Sequence, residues 1–169
     1  MYKTVPIKAK LTDEQQAFWV YQCEQANSLI NCALYYARQN HYTFLEQNDN
    51  AFTVYWRGDD LRHSCKTYKC KTTYLELDKA LKDNPHYKAM AAQSAQQTLK
   101  SVGESISSYN RLVEKYYKGE VDKPSLPKYR KRGELASVTF PRQALTYREG
   151  CFYPSISRET KPFLKKPGF

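Results

Sequence analysis

The spacing of apolar residues between positions 92 and 116 constrains this chain more than any other feature. Ala92, Ala95, Leu99, Val102, Ile106, Tyr109, Val113 and Tyr116 recur every three or four residues, a stripe about seven turns long on a helix. The pattern predicts one long amphipathic helix ending near Gly119, with a seam that needs a partner. Trp19, Cys23, Ala26, Ile30, Ala33 and Ala37 form a second stripe of the same period. Its helix should begin after Thr12, an N-cap with Gln15 three residues on to complete a capping box, and should reach about Asn40. Asp13 and Glu14 suit its positive end. Two helical hairpins packed together satisfy both stripes at little loop-closure cost.

Around these helices the pattern changes. YKTVPIKAKL at 2–11 alternates Val5, Ile7, Ala9 and Leu11 against Lys8 and Lys10, the period of a strand. Pro6 removes one donor and places that strand at an edge. Residues 43–72 lose the period, with QNDN and RGDD as turn signals. From Thr73 a helix is expected through Leu75, Leu77 and Leu81, stopping before Pro85. LASVTF at 135–140 and CFYPSI at 151–156 read as short strands separated by a turn at Glu149-Gly150. The expected fold class is α+β: a small β unit interrupted by an antiparallel helical insertion. The expected division is a strand over 1–11, the helical insertion over 12–120, and a basic segment with returning strands over 121–169.

Charge is distributed unevenly along this plan. Residues 1–114 hold 14 Lys+Arg against 12 Asp+Glu, whereas residues 115–169 hold 13 against 5. The net excess is therefore about +2 in the first part and +8 in the last, out of +10 overall. Such crowding points to a polyanionic partner more than to solubility. Fifteen tyrosines offer flat faces for bases as well as core volume. No apolar run approaches the ~20 residues of a membrane span, and MYKTVPIK lacks a signal-peptide core. With five cysteines and no secretory signal, the thiols are expected reduced and the protein cytoplasmic.

Catalytic constellations are not legible. Metal-dependent nucleases gather carboxylates around a divalent ion, but the acidic residues here fall on loops and helix faces. Asp59-Asp60, the only adjacent pair, lies in the turn-like RGDD. His41, His63 and His86 are scattered, no nucleophile setting stands out, and no glycine loop cradles a phosphate. His63, Cys65 and Cys70 have half the spacing of a zinc site; without a second half, ordinary buried or loop thiols are the favoured reading. No catalytic residue, metal or cofactor is assigned.

The segment KPSLPKYRKRG, residues 123–133, carries the strongest binding signal. Pro124 and Pro127 push the residues before them into extended conformations. If extension continues, Lys128, Arg130 and Arg132 share one face, ~6.6 Å apart, a spacing that suits successive phosphates. Lys123 and Lys131 add charge, and Tyr129 can stack on a base. The bland alternative is a solvated charge run. On the long second helix, Gln93, Gln96, Gln97 and Lys100 cluster on the polar face, and glutamine can pair bidentately with adenine.

The order of these motifs resembles the N-terminal part of the TnpB family, the transposon-encoded RNA-guided nucleases also known as OrfB-type transposases. The matching runs are IKAKLTDEQ near the start, NSLINCALYYARQ, TYLELDKALK, HYKAMAAQSAQQTLKSV, KGEVDKPSLPKYRKRG, SVTFPRQAL and FYPSI. They follow the family order over most of residues 1–156. The resemblance implies a barrel-like wedge domain with an inserted helical recognition domain, and guide RNA and target DNA as partners. It implies that Tyr74, Asp78 and Gln96 contact a short DNA motif at the transposon end, with residues 123–132 along RNA or heteroduplex.

In that family a RuvC-like nuclease domain with a carboxylate triad and a zinc-binding CxxC pair follows, and this chain carries neither. The expectation for the chain as given is nucleic-acid binding without cleavage. A second class of function is a helical protein-interaction module, dimerising through the tyrosine-rich seam with the basic tail steering encounter.

Overall fold

A computed structural model describes residues 8, 10–47, 54–57, 60–63, 69–149 and 151–161. Helix α1 spans Asp13–Gln47 and α4 spans Ala92–Tyr117; between them come α2, Tyr74–Leu81, and a single turn α3, Pro85–Lys88. The described residues also include two antiparallel hairpins: β1 (Val54–Arg57) with β2 (Asp60–His63), and β3 (Leu145–Arg148) with β4 (Cys151–Pro154). The chain is mostly helical and broadly α+β. No described helix is long and apolar enough to cross a membrane.

Helix α1 starts as its sequence requires. The Thr12 hydroxyl accepts from the Gln15 amide at 3.3 Å, and the Gln15 side chain accepts from the Thr12 amide at 3.0 Å, closing a capping box. The helix does not stop near Asn40 but runs two further turns, to Gln47. Its buried stripe is Gln22, Ala26, Leu29, Ala33, Ala37 and His41, so the face continues after the apolar residues give out. Leu77 and Leu81 of α2 are buried, whereas Leu75 points outward. Thr73 caps α2 through a reciprocal pair with Glu76.

The long seam of α4 packs as its period predicts: Ala95, Leu99, Val102, Ile106, Tyr109 and Val113 are all buried, against α1 and α2. Ala92 and Tyr116, the ends of the stripe, are exposed. Burying one such leucine is worth roughly 1.5–3 kcal/mol. The seam is filled from within the chain, by α1 and α2. Helix α4 ends in a Schellman motif, with Glu120 N–H bonded to Lys115 O at 3.0 Å and Gly119 N–H to Tyr116 O at 2.9 Å. Gly119 takes φ +77° there, a conformation glycine adopts at no steric cost.

The returning part departs from expectation. Residues 135–140 form no strand; they lie extended along α1, with Ala136 N–H bonded to the Cys23 carbonyl at 3.1 Å. Ala136 is buried in the helical core, and Phe140 meets Trp19 edge-on at 5.6 Å between centroids. The strand at Cys151–Pro154 exists, but its partner is Leu145–Arg148. Their connection contains the expected turn, with Glu149 at φ +49°. The strand expected over 2–11 lies almost wholly outside the described residues, as do Asp59 and Cys65. Residues 54–63, expected as loop, include the β1–β2 hairpin.

Candidate nucleic-acid interface

The basic segment is held against α1 rather than left in solvent. Leu126 is buried in the core that joins α1, α2 and α4. From there the chain runs extended, antiparallel to α1, and successive carbonyls meet one stripe of that helix. Arg38 donates to the carbonyls of Leu126 at 3.3 Å and Pro127 at 2.8 Å. Asn31 grips the Arg130 backbone from both sides, accepting its N–H at 2.9 Å and donating to its carbonyl at 3.1 Å. Asn27, buried on α1, donates to the Lys131 carbonyl at 3.0 Å. Positions 27, 31 and 38 fall within ~40° of one another around a helix. A helix face thus serves as the pairing edge for an extended segment that has no strand partner among the described residues.

This arrangement sorts the cations. Arg130 donates from Nε to Asn27 Oδ1 at 2.7 Å and from a terminal nitrogen to the Leu135 carbonyl at 3.2 Å. It fastens the segment while remaining exposed, like Lys128 and Arg132. Lys123, Lys128, Lys131 and Arg132 are exposed, and none of them pairs with a carboxylate among the described residues. Tyr129 is half exposed, with the Arg38 guanidinium 4.8 Å from its ring centroid; one ring face is occupied. The segment turns away at Gly133, φ +80°.

Tyr74, Asp78 and Gln96 come together around a residue that sequence reasoning did not single out. Tyr87 of α3 donates its hydroxyl to Asp78 Oδ1 at 2.9 Å, and the Gln96 side chain lies beside the same phenol. Burial, then the Asp78 hydrogen bond and charge, push the Tyr87 phenol up to about 12, with Gln96 opposing. Tyr87 therefore stays a neutral donor and pins Asp78 in place. Burial, with the Asp78 charge second, raises the Tyr74 phenol as well. Lys100 stands 5.5 Å from the Tyr74 ring centroid. Beside them a cleft of about 580 Å³ is lined by Lys71, Tyr74, Lys100, Gly103, Ser107 and Asn110, among others.

No protein-family model, curated protein or solved structure matches this chain.

Asn110 repeats on α4 the device that Asn31 supplies on α1. It accepts from Cys70 N–H at 2.8 Å and donates to Cys70 O at 2.9 Å, fixing the extended lead-in to α2. Cys70 itself is buried, with its sulfur 3.8 Å from the Ala37 carbonyl. Its surroundings are core, and no group of three metal-ligating side chains forms among the described residues. His86, placed at the start of α3, has Nδ1 2.7 Å from the Gln25 side chain. What the sequence did offer for the α1 stripe was Asn27, Asn31 and Arg38 at near-helical intervals beside the apolar one; polar residues there need partners once the helix is packed.

Proposed function

We propose that this chain binds nucleic acid, as the recognition and wedge portion of a TnpB-like, RNA-guided, transposon-encoded protein. In this reading an RNA or RNA–DNA strand tracks Lys123, Lys128, Lys131 and Arg132. A short DNA motif is read beside Tyr74, Asp78 and Gln96, and the hairpin part belongs to a barrel-like wedge. Binding, not cutting, is assigned to residues 1–169.

The observation that carries the reading is the clamped basic segment. A solvated charge run has no need for three side chains of a neighbouring helix and its own arginine to fix its backbone. Here the extension is enforced by Asn27, Asn31 and Arg38, so the cations are pre-positioned and little ordering entropy is lost on binding. Lys128 and Arg132, four residues apart on an extended segment, stand ~13 Å apart, room for two phosphate steps. The order of the sequence motifs supports the family assignment independently of the clamp.

The test is fluorescence anisotropy of the purified chain with RNA and duplex DNA across a salt series. Log affinity should fall linearly with log salt, with a slope of about −0.9 per phosphate contact on duplex DNA. The triple change Lys128→Ala, Lys131→Ala and Arg132→Ala should flatten that slope by about 2–3. Absence of binding at low salt overturns the proposal. Magnesium-dependent cutting of DNA by the chain alone overturns its non-cleaving part.

A further inference from the structure

On the side of α1 next to the clamp, the helix presents tyrosines to solvent. Tyr35 is 59% exposed and Tyr42 46% exposed. Neither exposure is needed for folding, since the core stripe of α1 is complete without them. The two lie seven residues apart, which is ~10.5 Å along the axis and ~20° around it. Arg38 stands between them, three residues after Tyr35 and four before Tyr42, so all three are neighbours on one helix surface. Arg38 also reaches the Tyr129 ring at 4.8 Å. Tyr129, 47% exposed, therefore borders the same surface from the basic segment. From Gln25 to Leu45 the helix carries no Asp or Glu, while Lys128 flanks Tyr129 in sequence and is exposed. Flat aromatic faces are thus set beside unpaired cations on a stretch of helix that carries no acidic residue.

We infer that Tyr35, Tyr42 and Tyr129 form a stacking surface for unpaired bases, so that this face takes a single-stranded nucleic-acid segment. Paired bases inside a duplex keep their faces covered by neighbouring pairs and cannot use it. A single strand can lay bases on the rings while its phosphates meet the cations of the basic segment. A protein ligand would gain little here, because the rings are separated by Arg38 and form no continuous apolar patch. The inference rests on the nucleic-acid reading and adds to it the strandedness of the ligand.

The probes are a single-stranded oligouridine of about 16 nucleotides and an RNA duplex of the same length, titrated with the full chain. Tyr35→Ala and Tyr42→Ala should each weaken oligouridine binding roughly 5- to 150-fold and leave duplex binding unchanged. Their salt slopes should stay at the wild-type value, because no phosphate contact is removed. Tyr35→Phe and Tyr42→Phe should restore affinity, since stacking needs the ring and not the hydroxyl. Equal losses for both probes, or no loss for either, overturn the inference while leaving nucleic-acid binding intact. So does a loss of self-association with unchanged RNA affinity, which would make the face a protein contact. If the wild-type chain binds neither probe at low salt, it is the parent reading that fails.

Discussion

His41 occupies a position where the α1 stripe calls for an apolar residue. It is 5% exposed, packs edge-on against Tyr109 at 6.3 Å, and its Nδ1 has no hydrogen-bond partner among the described residues. Burial lowers its affinity for a proton, so the folded chain holds it neutral. The unfolded chain protonates it at the ordinary value of ~6.5. As pH falls below that value the unfolded state binds the extra proton first, and stability declines until the lower folded value is reached. The urea midpoint of the wild type should thus drop between pH 7.5 and pH 5.5. His41→Phe, which fills a similar volume and cannot titrate, should lose part of that drop. An identical decline in both proteins would show that His41 is not the group responsible. The same residue explains a miss in the sequence. A period-reading eye stops at Ala37 because His41 is polar, while the helix continues because His41 packs there.

At the scale of elements, the long helices and the strand at Cys151–Pro154 were legible, whereas the single turn α3 and the fate of residues 135–140 were not. The cap at Thr12, the helix start at Thr73, the seam from Ala95 to Val113 and the stop at Gly119 are local, and each appears where its pattern places it. An alternation such as Ser137 to Phe140 is satisfied by any extended chain with one covered face. A helix covers it here, through Ala136 and Val138 in the core and Phe140 against Trp19. Nothing local distinguishes that from a sheet partner. The crossing of α2 over α4 was likewise invisible, and it turns on one residue. A Cβ built on Gly103 would meet Tyr74 Cβ at 3.3 Å, tight but tolerable for alanine. A branched side chain has no such room, so Gly103→Val should cost about 1–3 kcal/mol by overpacking and push Tyr74 off α4. The denaturation midpoint measures the cost, and an unshifted midpoint with unchanged Tyr74 environment by NMR would refute the close approach. Since Tyr74 belongs to the proposed motif-reading cluster, the same variant should also lose sequence preference before it loses general affinity.

The whole molecule separates two kinds of contact onto different supports. Asn27, Asn31 and Arg38 of α1 hold the basic segment, whereas Asp78, Tyr87 and Gln96 link α2, α3 and α4. No described hydrogen bond joins the two sets, and they share no partner. Changes in sets that lack shared partners add, to within ~0.3–0.5 kcal/mol. Gln96→Ala should alter preference among DNA sequences with the salt slope untouched, because an uncharged amide releases no counterion. Lys128→Ala with Arg132→Ala should weaken every sequence alike and flatten the slope by about 2. Combined, the losses in binding free energy should sum, and the sequence preference and the slope should each keep its single-set value. A coupling energy well above 0.5 kcal/mol would mean that the two surfaces hold one group of the ligand in common. It would also mean that the helical layer between them transmits strain instead of acting as a rigid spacer. The buried seam favours the spacer: Leu99, Val102 and Ile106 are at most 2% exposed, and close-packed side chains of this kind resist small displacements.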